Sequence, residues 1–417
     1  MKKNRYVLFI LIVFLIGLPF IYNLPPVQER VGWRVAELFA RFKYAISPPE
    51  EIVFIPEKNT LPTTPAVPAI TTPTIIPATQ QPVSPPVPTA TLKPIPETIL
   101  LKGFRQEYQT WNNCGPATLA MALSNWVWEG NQQPIATFAK PNPRDKNVMP
   151  YELTAYVQEE TQFGAISRVG GDIELLKRFI ASGIPVILEK GFELPKDGWM
   201  GHYVLVTGYD DSKGRFIMQD SYYGPDQVMD YADLESYWRA FNFTYLVTYP
   251  PKHNAEIETI FGPYLDEQYS YRAAAQTASK DIYTLTGRDQ FFAWFNRGTS
   301  LVQLQDYAGA AEAYDEAFAI YPDIPNKERP WRMLWYQTGP YWAYYYTGRY
   351  QDVIKLATTT LDTMSEPVLE ESYYWRAMAR EALGDNEGAI KDFRSALKYH
   401  PGFDPALTQL QQLGVTP

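Results

Sequence analysis

One cysteine and three histidines are all the thiol and imidazole chemistry that 417 residues contain. A lone Cys114 excludes an intrachain disulfide and any thiolate-rich zinc site. One Cys and one nearby His also leave a tetrahedral zinc shell unfilled unless two carboxylates join them, so no metal is expected. Basic residues are scarce as well: 37 Lys and Arg stand against 46 Asp and Glu, for a net charge of −9. Duplex binding is driven by cations neutralising phosphates, so nucleic acid is excluded as a partner. No Gly-Lys-Ser/Thr phosphate loop occurs either, and no cofactor is implied.

The length suits two or three domains of roughly 100 to 200 residues each. A hydrophobic content of 46% is ordinary for a chain with a sizeable core. Residues 1–24 read as an address. Lys2, Lys3 and Arg5 precede an apolar run from Tyr6 to Tyr22, at the short end of the ~17 to 25 residues that span hydrocarbon. No small-x-small cleavage site follows, so an uncleaved signal anchor is expected, with the bulk of the chain outside the cytoplasm. Cleavage would instead give a secreted protein. In residues 25–58, Val27, Val31, Val35, Leu38, Phe39, Phe42 and Ile46 recur at helical spacing. This juxtamembrane segment is expected to be an amphipathic helix on the membrane surface or a short spacer. Residues 59–98 are rich in Pro and Thr and contain no aromatic residue, the composition of an extended, disordered stalk.

Residues 99–252 form the next unit. An Ala/Leu/Met-rich helix follows Cys114. Later come β-like runs at Ile184–Glu189, His202–Tyr209, Arg215–Asp220 and Phe243–Tyr249. Early helices and late strands predict an α+β layout. In residues 265–417 the β signal is gone. Trp294, Gly298, Ala310, Tyr314, Ala317 and Pro322 have the spacing of a tetratricopeptide repeat, and the set recurs at Tyr373, Ala377, Ala389, Phe393, Ala396 and Pro401. Gly348-Arg349-Tyr350 marks a degenerate copy between them. The expected architecture is an all-α solenoid, which offers a surface to a peptide or protein partner. Trp331, Trp335, Trp342 and Tyr344–Tyr346 line such a surface or, preferably, pack between helices.

Chemistry concentrates around Cys114. Pro116 suits a first helical turn, and Ala117 to Leu123 are good helix formers. The thiol therefore sits at a helix N-terminus, where free N–H groups and the positive dipole end favour the thiolate. A thiolate nucleophile needs a base, normally His. His253 falls at a domain boundary and His400 precedes the terminal proline of a repeat, which leaves His202 at the start of a strand. If Tyr209 faces Arg215 across the Asp210–Gly214 turn, then Val204 faces Asp220. Asp220 is then diagonal to His202, ~7 to 8 Å away at the backbone. Asp210 and Asp211 fall at the far end, on the order of 25 Å off at ~3.3 Å per residue. For the developing oxyanion, the Cys114 N–H is one donor and an upstream amide is the other: Gln109, with Gln106, Asn112 and Asn113 as competitors.

Gln109 before Asn112-Asn113-Cys114-Gly115-Pro116-Ala117, then Gly201-His202-Tyr203 opening a strand, then Gln219-Asp220-Ser221-Tyr222, carry a resemblance. Over about residues 100 to 250 the chain resembles the papain-like cysteine peptidases, in particular the bacterial group related to bacteriocin-processing, double-glycine-leader peptidases. The resemblance implies a papain-like fold, a Cys114 nucleophile, a His202 base, Asp220 as its orienting group and Gln109 in the oxyanion hole. The processing enzymes proper are fused to an export ATPase, which this chain lacks, so cleavage of double-glycine leaders is not implied. The expected function is hydrolysis of peptide bonds in a peptide or protein substrate, with a protein partner on the repeats. The alternatives are a catalytically silent binding module, or a cell-wall amidase or acyltransferase using the same thiolate.

Overall fold

The protein is described here by a computed structural model, which covers residues 33–57, 94–142, 144–194 and 197–416. The expected anchor (1–24) and all of the expected stalk up to residue 93 lie outside the described residues. Among the described residues no helix is long and apolar enough to cross a membrane.

Seven strands make one sheet: β1 (Thr98–Leu100), β2 (Gly164–Arg168), β3 (Val186–Leu194), β4 (Gly198–Asp210), β5 (Arg215–Asp220), β6 (Gly224–Asp230) and β7 (Tyr245–Tyr249). Their order is β2-β7-β3-β4-β5-β6, with β1 added to the end of β4. Every pairing is antiparallel. Thr98, assigned by composition to the stalk, already pairs with Asp210. β2 and β6 carried no strand signal. The sequence of β6, Gly-Pro-Asp-Gln-Val-Met-Asp, has the composition of a turn, and its ladder with β5 imposes the extended form.

Side chains alternate across this sheet. Tyr203 and Leu205 of β4, with Ile187 of β3, pack beneath the helix Cys114–Ser124 and its neighbours Gln132–Ala139 and Pro150–Glu160. Val204 and Val206, with Val186 and Leu188, enter the opposite core against the helices Ile173–Ala181, Tyr231–Arg239 and Asn254–Phe261. The sheet is therefore covered on both faces, and the helix that Cys114 opens is held by one of them.

The repeats follow as paired helices: Gly287–Gln303 with Tyr307–Ile320, and Glu370–Ala382 with Asn386–Tyr399. Small residues let each pair approach. A Cβ built on Gly298 would stand 2.7 Å from the Tyr314 ring. In the degenerate middle copy the first helix is broken into Met333–Tyr336 and Gly339–Tyr346, with Pro340 opening the second piece. Trp331 and Trp335 are buried in packing, as preferred from sequence, whereas Trp342 keeps about a third of its surface, 37%, exposed.

The two domains do not hang on a linker. Trp199, Ala240 and Phe241 of the sheet domain share one core cluster with Phe291, Phe292 and Phe295 of the repeats. Residues 33–57, expected as part of a juxtamembrane segment, also meet the repeats. The helix Trp33–Ile46 exists and leaves Leu38, Phe39, Phe42 and Ile46 exposed. Its end is fastened to the repeats, however: Lys43 Nζ donates to the Asp362 and Met364 carbonyls, both at 2.6 Å. Phe54 is buried against Phe318, and the Glu57 N–H donates to Asp352 Oδ1 at 2.9 Å. Apolar burial drives this docking, which spacing along the chain does not encode.

Replacing Gly298 by Ala should overpack the Tyr314 contact and cost about 1–3 kcal/mol, read as a lower urea midpoint of the full chain.

Candidate active site

Cys114 opens its helix after Asn113, which makes no side-chain cap, so the first N–H groups are left free for an incoming anion. Asn112, in the left-handed region at φ 56°, turns the chain sharply just before it. The thiol is partly exposed and lies against β4, where the Tyr203 N–H donates to it. That N–H is free because the β4–β5 ladder ends at Val204↔Asp220.

The register places the remaining groups. Val204 does face Asp220, but not for the expected reason: Asp210, not Tyr209, faces Arg215, and a bulge between Val206 and Gly208 absorbs the extra residue. His202 Nε2 lies 3.1 Å from Asp220 Oδ1. The same oxygen accepts from the Tyr222 and Tyr223 N–H groups at 2.6 and 3.1 Å. The ring's other nitrogen is left for the Cys114 side chain, with which it is hydrogen-bonded. His202 and Asp220 are both buried, and Phe192 stacks on the imidazole at 4.5 Å.

The electrostatics follow from these contacts. Burial pushes the Cys114 thiol up, but the His202 hydrogen bond and charge, the Tyr203 N–H and the Lys140 cation together bring it below the ordinary thiol value. Burial pulls His202 down, and Asp220 and Cys114 more than reverse it, so the imidazole stays protonated to higher pH than usual. Burial raises the Asp220 carboxyl, while the His202 bond and charge and the two backbone donors hold it below its usual range. A lowered thiol beside a raised imidazole is the condition for a thiolate–imidazolium pair.

Gln109 is held against Ser221, the residue after Asp220. Its N–H donates to the Ser221 carbonyl at 3.0 Å and its Oε1 accepts from the Ser221 hydroxyl at 2.8 Å. Among the described residues its NH2 has no other claim, in contrast to its competitors. Gln106 Nε2 donates to the Asp220 carbonyl, Asn112 Nδ2 to the Asp145 carbonyl, and Asn113 Nδ2 to Thr110 Oγ1 and Gln132 Oε1.

The rejected histidines are elsewhere: His253 pairs with Glu256 and His400 with Glu370. Asp210 and Asp211 are taken by Lys213 and Lys177 at the far end of β4.

Sequence reasoning missed three neighbours. Lys140 is buried and donates from Nζ to the Asn112 carbonyl at 3.0 Å, two residues before the thiol. Burial brings its ammonium down to about 8, against the opposing pull of Asp145 and Cys114. Glu189 is buried beside Tyr203, and burial lifts its carboxyl well above the usual range. Tyr336, from the broken middle repeat, packs on Gly201 next to His202. No local signal marks any of them: a Lys beyond a short helix, a Glu inside a strand and a Tyr in a repeat are each commonplace.

Residues 100–246 match the Peptidase_C39 like family, and residues 291–324 and 371–402 each match a tetratricopeptide repeat. Several solved structures are similar, two of which follow. One is from Bacillus anthracis and is described as a C39-like peptidase: 16% identity, 37% of this chain and 98% of the other, TM-score 0.30. The other is the peptidase domain of Streptococcus ComA, a bifunctional ABC transporter involved in quorum sensing: 16% identity, 35% and 98%, TM-score 0.29. No curated protein matches the chain.

Removing the Lys140 cation should raise the thiol. The midpoint of Cys114 alkylation by iodoacetamide is expected at higher pH in Lys140→Met than in the parent chain, and largely restored in Lys140→Arg.

Proposed function

From a chain that joins a Peptidase_C39-like domain to tetratricopeptide repeats, we propose a cysteine peptidase in which Cys114 is the nucleophile, His202 the base, Asp220 its orienting group and Gln109 an oxyanion donor. The observation that carries this reading is the buried chain of contacts from Asp220 through His202 to Cys114, with Asp220 Oδ1 at 3.1 Å from the ring.

His202 takes the thiol proton, and the thiolate attacks the carbonyl carbon of a peptide bond. The tetrahedral oxyanion is met by the Cys114 N–H at the helix start and by the Gln109 NH2. The imidazolium then protonates the leaving amine as the C–N bond breaks. Water, deprotonated by the same imidazole, attacks the thioester and releases the acid. Asp220 keeps the ring oriented and stabilises its charged form, as a third group does in related triads. The repeats bring a protein or peptide into reach. Lys2, Lys3 and Arg5 before the apolar run Tyr6–Tyr22 support anchoring in the membrane with these domains outside the cytoplasm.

The pH dependence follows from the signs. Activity requires thiolate and imidazolium together. It should rise as pH passes the lowered thiol pKa and fall as pH passes the raised His202 pKa. Asp220→Asn removes the charge that raises His202, so the alkaline limb should move to lower pH. In a peptide-library digest followed by mass spectrometry, Cys114→Ser should abolish turnover and Gln109→Ala should lower kcat by about 10² to 10³. Equal alkylation profiles in the parent chain and His202→Ala, near the ordinary thiol value, would overturn the reading. Release of acyl or amine from cell-wall fragments, with peptides left intact, would transfer it to an amidase.

A further inference from the structure

The helix Trp33–Ile46 carries its apolar stripe on the side away from the protein. Leu38, Phe39, Phe42 and Ile46 each keep 66 to 70% of their surface exposed. At 3.6 residues per turn they fall within an arc of about 100°, the width with which a surface helix normally faces its core. Ala40, Lys43 and Tyr44 lie round the far side and are half-buried. Tyr44 packs on Trp331 at 5.3 Å and its hydroxyl accepts from the Ser365 N–H at 3.1 Å. Lys43 donates to the Asp362 and Met364 carbonyls. The repeats thus satisfy one side of the helix, and four large apolar side chains stand together on the other. A contiguous apolar patch on a fastened helix marks an interaction surface.

The chain before the helix says what covers it. The apolar run Tyr6–Tyr22 ends ten residues before Trp33, and ten residues reach at most about 35 Å fully extended. A spanning run therefore keeps the helix close to the bilayer surface. Charge points the same way. From Asn23 to Ile46 the sequence has Arg30, Arg34, Arg41 and Lys43 against Glu29 and Glu37, a basic stretch in a chain of net charge −9. Arg and Lys interleaved with Leu and Phe suit a helix lying in the plane of a membrane interface, where anionic headgroups attract the cations.

The Pro/Thr-rich residues do not hold the folded domains away from that surface. On their N-terminal side the Glu57 N–H donates to Asp352 of the repeats, and Phe54 packs on Phe318. On their C-terminal side Tyr209 donates to the Pro96 carbonyl at 2.7 Å, and Thr98 pairs with Asp210. The repeats and the sheet domain share one core cluster, so this segment leaves and re-enters a single body. Its length has no bearing on how far that body stands from the membrane. The distance is set earlier, by residues 23–32 and by the helix itself.

We infer that the helix Trp33–Ile46 lies in the headgroup region of a phospholipid bilayer, with Leu38, Phe39, Phe42 and Ile46 at the acyl boundary. Through Lys43, Tyr44 and Phe54 it holds the repeats and the sheet domain against the membrane surface, so the thiol works beside the bilayer. The inference rests on the membrane anchoring included in the function proposed above.

The test uses the full chain in a Cys114→Ser background, reconstituted in vesicles of phosphatidylcholine and phosphatidylglycerol. A nitroxide is placed at Phe39→Cys, at Phe42→Cys or, as an exposed reference on the repeats, at Glu387→Cys. Its collisions with oxygen, which concentrates in hydrocarbon, are compared with those of a water-soluble nickel chelate. The two helix positions should lose most nickel collisions and favour oxygen, at a depth of about 5–10 Å, whereas the reference should favour nickel. Nickel collisions at the helix as frequent as at the reference, in a chain that floats with the vesicles, overturn the surface inference and leave the anchor standing. Labels shielded from both reagents place a protein surface over the helix and overturn the inference likewise. A chain that does not float with the vesicles overturns the anchoring and the inference together.

Discussion

β5 stops at Asp220 while β4 continues toward its own start, and that mismatch leaves the Tyr203 N–H without a strand partner. An unpaired backbone donor in a protein interior must be satisfied, and here the Cys114 sulfur satisfies it. The helix N-terminus is thereby drawn to the strand edge, where side chains from either face of the sheet reach it. His202 arrives from the face of Val204, and Asp220 is the last residue of the strand that ended. The backbone of the next residue, Ser221, holds Gln109. One strand terminus therefore organises Cys114, His202, Asp220 and Gln109.

The repeats explain a second feature. The first and last copies keep their spacing and match the repeat family, whereas the middle copy has lost its pattern. Its broken helix faces the sheet domain, as does the helix Gly287–Gln303 of the first copy. Arg332 donates to the Asp197 and Trp199 carbonyls, Gln337 Nε2 to the Ala240 carbonyl, and Tyr336 packs on Gly201. A regular helix pair is shaped to stack on its neighbours. Arg332 and Tyr336 contact the strand segment that leads into His202, so His202 is approached from the repeat side as well as from within its own sheet.

Legibility followed the range of the interactions. The pairing of His202 with Asp220 was readable because alternation along two strands joined by a short turn is a local rule, yet the argument was one residue off at Arg215. The bulge at Thr207 corrected the error before it reached Asp220. β6 was missed because Gly224-Pro225-Asp226 describes a turn, and only its ladder with β5 makes it a strand. The docking of Lys43, Tyr44 and Phe54 on the repeats was missed because it joins residues about three hundred positions apart.

By itself the sequence determined the chemistry that depends on neighbours in the chain: a thiol at a helix start, one usable imidazole at a strand start, a carboxylate in register with it, and repeat spacing carried by small and aromatic residues. Tertiary structure decided what surrounds that chemistry. It brought Lys140 to the Asn112 carbonyl, raised the Glu189 carboxyl by burying it beside Tyr203, and set Tyr336 from a distant repeat over Gly201. The physical reason is that burial and through-space charge depend on which surfaces meet, and no periodicity along the chain records the meeting of surfaces far apart in sequence.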